Sequence, residues 1–184
     1  MAPDPLPNEP TDAELMAQLG QGEMPALAVL VGRYQDRVRK LAFRIVGKWD
    51  LADDMTQDAF LRLYRTAGRY RPEMPLMALL RRIVVNLCLD WRKRVKPGAW
   101  PNVEPMAGDE WTVNGTIETT EKLAAIRNEI SQLPERQRIA LTLHRFEELS
   151  HEEIAEVTGW SPSAVESLLV RAYSRLRERL KAWL

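Results

Sequence analysis

The sequence predicts an all-α protein of two small helical domains joined by a flexible linker, the C-terminal domain containing a helix-turn-helix. Three observations carry that prediction. Apolar side chains recur at helical spacing along most of the chain, and no segment alternates as a strand would. Residues 97–117 interrupt the pattern with three prolines, three glycines and no lasting periodicity. Near the C-terminus, two helix-start signatures flank Gly159.

Residues 1–10 hold four prolines and few apolar side chains, which predicts a disordered leader. Thr11 with Glu14 is a capping box that opens the first helical stretch. Leu15, Leu19, Leu27, Leu30, Val31, Tyr34, Val38, Leu41, Ala42 and Ile45 sustain its spacing, while Gly20, Gly22 and Pro25 divide it into two helices. Asp50 opens a third helix, DLADDMTQDAFLRLYRTA, ending near Gly68; its acids precede its bases, the order that suits a helix dipole. After the loop RYRPEMP, a fourth helix begins near Leu76 and stops before Pro97 and Gly98. Leu76, Leu80, Ile83, Val84, Leu87 and Trp91 share its core face, and Arg82, Asn86 and Lys93 share another.

The linker carries Trp100 and Trp111, read as anchors that pack on a neighbouring domain. Helices are then expected over 117–133 and 134–146. Ser150 with Glu153 caps the short helix SHEEIAEVT, Gly159 makes the turn, and Ser161-Pro162 opens a longer helix to about Leu180. Short helix, glycine turn, longer helix is the helix-turn-helix pattern, with a plain antiparallel helix pair as the alternative. Val165, Leu169, Ala172, Leu176 and Leu180 should face Ile154, Ala155 and Val157. The opposite face presents Ser163, Ala164, Ser167 and Arg171, small hydroxyls and one arginine that suit a helix laid in a major groove, and the cap Ser161 and Arg175 complete the candidate DNA contacts of this helix.

Composition excludes several function classes. One cysteine, Cys88, rules out a disulfide framework, and His144 and His151, seven residues apart across a turn, make no metal set with it. There is no Gly-rich phosphate loop, activated nucleophile or paired-carboxylate site, so a non-enzymatic protein without cofactor or metal is expected. No apolar stretch approaches the length of a spanning helix, and the first residues lack the basic and apolar regions of a secretory signal; a cytoplasmic location is expected.

The chain balances 26 basic against 26 acidic residues, but the balance hides segregation. Residues 1–97 carry 16 basic and 12 acidic side chains, residues 98–117 three acids and no base, and residues 118–184 10 basic and 11 acidic. The basic excess lies in Arg62, Arg65, Arg69, Arg71, Arg81 and Arg82, then in Arg92, Lys93, Arg94 and Lys96, a pattern that suits a polyanion or a solvated helix face.

Four stretches in order, FRIVGKWDLADDMTQDAFLRLYR, LRRIVVNLCLDWRKR, ISQLPERQRIALTLHRFEELSHEEIAEVTG and AVESLLVRAYSRLRERL, resemble the extracytoplasmic-function (ECF) sigma factors of the sigma-70 family. The resemblance covers about residues 11–184. It implies that residues 11–96 are the region 2 domain, which grips core RNA polymerase and opens the minus-10 promoter element, and that residues 118–184 are the region 4 domain, which reads the minus-35 element. It assigns Asp53, Asp54, Gln57, Asp58, Leu61 and Arg62 to the polymerase contact. Arg69, Arg71, Arg82, Asn86, Arg92, Lys93 and Arg94 would follow the opened strand, with RYRPEMP helping to hold an unstacked base. An anti-sigma factor, often membrane-tethered in such families, is the implied regulator. Two departures stand out: Leu79 replaces an aromatic residue common in relatives, and Glu166 and Leu168 stand where many carry basic side chains. A sigma mimic that sequesters an anti-sigma protein without binding a promoter is the alternative.

Overall fold

The computed structural model describes residues 9–94 and 120–181, and among these there are eight α-helices and no strand. The helices are α1 (Asp12–Gly20), α2 (Met24–Val46), α3 (Trp49–Thr66), α4 (Leu76–Arg94), α5 (Thr120–Ser131), α6 (Glu135–Arg145), α7 (His151–Thr158) and α8 (Pro162–Arg179). A 3-10 turn, Ala67–Arg69, extends α3. The expected linker with Trp100 and Trp111, and residues 1–8 of the expected leader, lie outside the described residues.

In the first unit α2, α3 and α4 pack on one another, and α1 lies against α2 and the 3-10 turn. The long α2 buries Leu30, Tyr34, Val38, Leu41, Ala42 and Ile45 on the expected stripe. Its last turns also bury Phe43 and Val46, beyond the width of one amphipathic face, because α6 of the second unit covers this end. Gly47 stops α2 in the left-handed conformation, φ 78°, and its N–H closes on the Phe43 carbonyl at 2.7 Å.

Helix α3 begins at Trp49, one residue before the expected start, and Asp50 stands in the first turn while Lys48 takes the cap position without a side-chain bond. Trp49 is fixed there by its neighbours. Its ring stacks on Phe43 at 4.0 Å, and the Arg39 guanidinium lies 4.2 Å above it.

In the second unit α6, α7 and α8 enclose Ile139, Ala140, Leu143, Ile154, Val165 and Leu169, and α5 docks on α8 through Ile130, Leu133, Leu141 and Ala172. The box predicted from Ser150 and Glu153 is formed at both ends: the Ser150 hydroxyl accepts from Glu153 N–H at 3.2 Å, and the Glu153 carboxylate accepts from Ser150 N–H at 2.8 Å. Gly159 turns the chain at φ 73°, and Ser161 caps α8 by accepting from Ala164 N–H at 3.2 Å. A short helix, a left-handed glycine and a capped longer helix thus appear in the expected order.

The two units share one continuous apolar core, with α6 against α2 and α7 against α4. Two glycines test this backbone account in opposite directions. Gly32 lies in exposed mid-helix with open space around its missing Cβ, so Gly32→Ala should stabilise the chain by about 0.4–1 kcal/mol. Gly159→Ala places a side chain in the left-handed region and should destabilise it by about 1–2 kcal/mol. Urea denaturation measures both; equal effects would contradict the assigned conformations.

Candidate nucleic-acid interface

Helix α4 is amphipathic in the way a nucleic-acid reader requires. Leu76, Met77, Leu80, Val84, Val85, Leu87 and Cys88 are buried, and the remaining expected core residues, Ile83 and Trp91, are partly buried. Arg82, Lys93 and Arg94 are exposed. Asn86 is half-buried, and among the described residues its side chain has no hydrogen-bond partner, which leaves the amide available to something outside the fold. Lys93 is held at 3.3 Å by Asp90, a solvated i,i+3 pair that a phosphate can replace at small cost. The Arg92 side chain lies outside the described residues.

Before α4, Arg69 and Arg71 are exposed in the turn and loop that lead into it. That loop has internal order: the Tyr70 hydroxyl donates to the Met74 carbonyl at 2.7 Å, and Met74 N–H to the Arg71 carbonyl at 3.2 Å. Leu79 is partly buried against the core.

Helix α8 buries Val165, Leu168, Leu169 and Ala172, with Leu176 and Leu180 half-buried. Leu168 therefore belongs to the core, because it sits three residues after Val165 and four before Ala172. Ser163, Ser167, Arg171 and Arg175 are exposed and Ala164 is half-buried, as the wheel places them. The Arg171 Nε donates to the Ser167 carbonyl at 3.0 Å, so its guanidinium lies back along the helix toward the N-terminal turns. Ser161 is occupied as a cap, and Glu166 is exposed beside Ser167.

On α3, Asp54, Gln57, Asp58, Leu61 and Arg62 form an exposed strip, with Leu61 51 % exposed. Asp53 differs from the rest: its carboxylate accepts from Arg39, whose guanidinium also covers Trp49, so it helps to fix the helix. Leu61 also lines a groove between α2 and α3 with Leu27, Val31 and Phe60.

Sequence reasoning missed the groups that join the two units. Glu147, in the turn after α6, has a side chain only 2 % exposed, and one carboxylate oxygen accepts from Arg81 at 3.1 and 3.2 Å and from Arg37 at 3.4 Å. Arg138 is likewise buried; it donates to the Ile45 carbonyl at 2.8 Å and to the Ser131 carbonyl at 3.1 Å. The Arg44 guanidinium lies 4.6 Å over the Phe146 ring. Composition gives no signal for these contacts, because the adjacent glutamates of FEELS, Glu147 and Glu148, read as solvated. His144 and His151 do meet, with ring centroids 5.7 Å apart, yet the described residues contain no group of three donors able to hold a metal. Burial pushes the Cys88 thiol up to about 12, which leaves it unreactive.

Comparison with known proteins agrees with this arrangement of helices. The Sigma-70 region 2 profile matches residues 30–97, and the Sigma-70 region 4 profile matches residues 123–176. RNA polymerase sigma-H factor of Pseudomonas aeruginosa is 32 % identical, over 92 % of this chain and 94 % of that relative. ECF RNA polymerase sigma factor SigE of Mycolicibacterium smegmatis is 33 % identical, over 94 % of this chain and 69 % of that relative. Among solved structures, CnrH in complex with the cytosolic domain of CnrY superposes with a TM-score of 0.64 at 26 % identity, over 93 % of this chain and 97 % of that one.

The buried carboxylate between the units gives a direct test of their packing. Glu147→Ala leaves Arg81, 11 % exposed, without its acceptor, and should cost about 1.5–3 kcal/mol. Arg37, at 35 % exposure, can turn to water and limits the loss. Urea denaturation with separate probes in each unit should show the variant's units unfolding less cooperatively; an unchanged, fully cooperative transition would exclude Glu147 as a joint.

Proposed function

Since the chain belongs to the ECF RNA polymerase sigma factors, we propose that its two helical units divide promoter recognition between them. As a sigma factor it binds core polymerase and promoter DNA and directs initiation. Residues 11–96 act as the region 2 domain and residues 118–184 as the region 4 domain, with 97–117 as the tether. The observation that carries this division is the α4 stripe: Arg82 and Asn86 face outward from a helix whose opposite side is core.

In region 2, Asp54, Gln57, Asp58, Leu61 and Arg62 dock on polymerase, and Asp53 holds their helix in place. Arg82, Lys93 and Arg94 follow strand phosphates, which fix register without reading sequence. Asn86 supplies a donor and an acceptor to a base edge, and the loop 70–75 receives a base taken out of the stack. In region 4, Ser163, Ser167, Arg171 and Arg175 face the minus-35 groove. Exposed Glu166 reduces the local cation excess, so this domain adds less salt-sensitive affinity than α4. The protein supplies position and strand separation, polymerase supplies catalysis, and the site of action is the cytoplasm.

Both surfaces serve one promoter, so the packed units must separate. The two elements lie about 25 bp apart, about 85 Å of duplex. A globular chain of this length is only about 40 Å across. CnrH, which shares this fold, was solved with the cytosolic domain of CnrY. A membrane-tethered anti-sigma factor laying apolar helices on the groove beside Leu61 would compete with polymerase for this chain.

Run-off transcription with core polymerase on a promoter library tests the assignment. The wild-type chain should give defined start sites, and reversing both Asp54 and Asp58 to Lys should abolish them together with polymerase co-purification. Asn86→Ala should impair opening and minus-10 base preference, whereas Lys93→Ala should act evenly across sequences and lower the salt slope by about 1. A wild-type chain that binds an anti-sigma protein yet initiates nowhere would establish the sigma mimic instead.

A further inference from the structure

We propose that α1 is a brace for the base-holding loop, and that Gly20 is a positioning residue for minus-10 base selection. The inference rests on the reading that loop 70–75 receives an unstacked base. A nine-residue helix is marginal by itself, so the fixed placement of α1 needs external causes. Its start is set by the capping box, Thr11 N–H donating to the Glu14 carboxylate at 2.7 Å. Its face is set by Leu15, Met16 and Leu19, all buried. Its orientation on α2 is set by Asp12, which accepts from the Tyr34 hydroxyl and from Arg33 at 3.1 Å; Arg33 also holds Glu9 at 3.2 Å.

The other end of α1 reaches the 3-10 turn. A Cβ placed on Gly20 would stand 3.2 Å from Gly68 Cα and 3.3 Å from Gly68 N, so helix end and turn touch backbone to backbone. From that turn the chain enters the loop at once. Tyr70 N–H donates to the Ala67 carbonyl at 3.1 Å, and the Tyr70 hydroxyl crosses the loop to the Met74 carbonyl at 2.7 Å. Burial and the nearby Asp12 carboxylate both push the Tyr70 phenol up, which agrees with a tyrosine seated between α1 and the loop. One continuous path therefore runs from Asp12 through α1, Gly20 and Gly68 to Tyr70 and Met74, while Arg69, Arg71 and Met74 remain exposed on its far side. A site that discriminates bases must be held to about half an ångström. A methyl on Gly20 would push the turn by a few tenths of an ångström, a displacement of that order.

The two glycines of the contact are unequal, and the experiment uses that. Gly20→Ala puts a methyl against the turn backbone, yet it also replaces a helical glycine at the end of α1 with the best helix former, so its two effects on stability oppose each other. Gly68→Ala meets nothing within 4 Å. On promoters differing only in the minus-10 base, with full-length protein and polymerase, Gly20→Ala should reduce discrimination about three- to tenfold at unchanged polymerase affinity. Tyr70→Phe should do the same by freeing the loop's far side, and Gly68→Ala should match wild type. Full discrimination in Gly20→Ala, or equal behaviour of the two glycine variants, would overturn the brace. Met74→Ala separates the two layers. If Met74→Ala and Arg71→Ala both leave discrimination intact, the base-holding reading fails and the brace with it; if they lower discrimination while Gly20→Ala does not, the brace alone fails.

Discussion

How the two units of this protein fit together is set by one carboxylate. Glu147 leaves the end of α6 and enters the seam between the units, where arginines from α2 and α4 reach the same oxygen. An isolated carboxylate could not be buried there without a heavy desolvation penalty, so closing the seam requires both units to contribute. The surrounding contacts follow from the same approach. Arg138 caps the buried carbonyl of Ile45 near the end of α2, where a cation also suits the helix dipole, and Phe146 slides under Arg44.

A seam of this kind is strong enough to order the units and weak enough to open. Its apolar part contributes through burial of α2, α4, α6 and α7 side chains, in proportion to area. Its ionic part contributes little net free energy, because the arginines and the carboxylate regain hydration when separated. In the proposed open form Arg81, the neighbour of outward-facing Arg82, would be released beside a strand rich in phosphates. The same cation that Glu147 holds in the closed protein would then be free to face DNA. Buried charge here supports a switch between two arrangements better than it would support a permanent interface.

Local structure was legible because local rules are strong. Both capping boxes, the Gly159 turn and the Ser161 cap stand where Thr11, Ser150 and Ser161 announce them, and the apolar faces of α2 and α4 follow their periodicity. The surface assignments of Arg82, Ser163, Ser167 and Arg171 follow from the same wheels, since a residue opposite a core face has nowhere else to point. Long-range pairing was not legible. Leu168 was read against a family pattern of basic residues and proves to be core, a position that i,i+4 spacing to Ala172 could have indicated. Glu147, Arg37 and Arg81 lie far apart in sequence, and only the docking of two units makes one charged cluster of them. The same holds for the contact of Gly20 with Gly68, where each glycine reads locally as a helix terminator.

The central claim is that a closed, Glu147-joined form gives way to an open form on the promoter. Spin labels on Glu23→Cys and Glu178→Cys, exposed positions in opposite units, report it directly, since buried Cys88 does not compete for the label. The free protein should give one narrow distance distribution, and the transcription-competent complex with core polymerase and promoter DNA should lengthen it by roughly 20 Å or more, as the separation of the two promoter elements demands. An unchanged distance in a complex that initiates transcription would contradict the account.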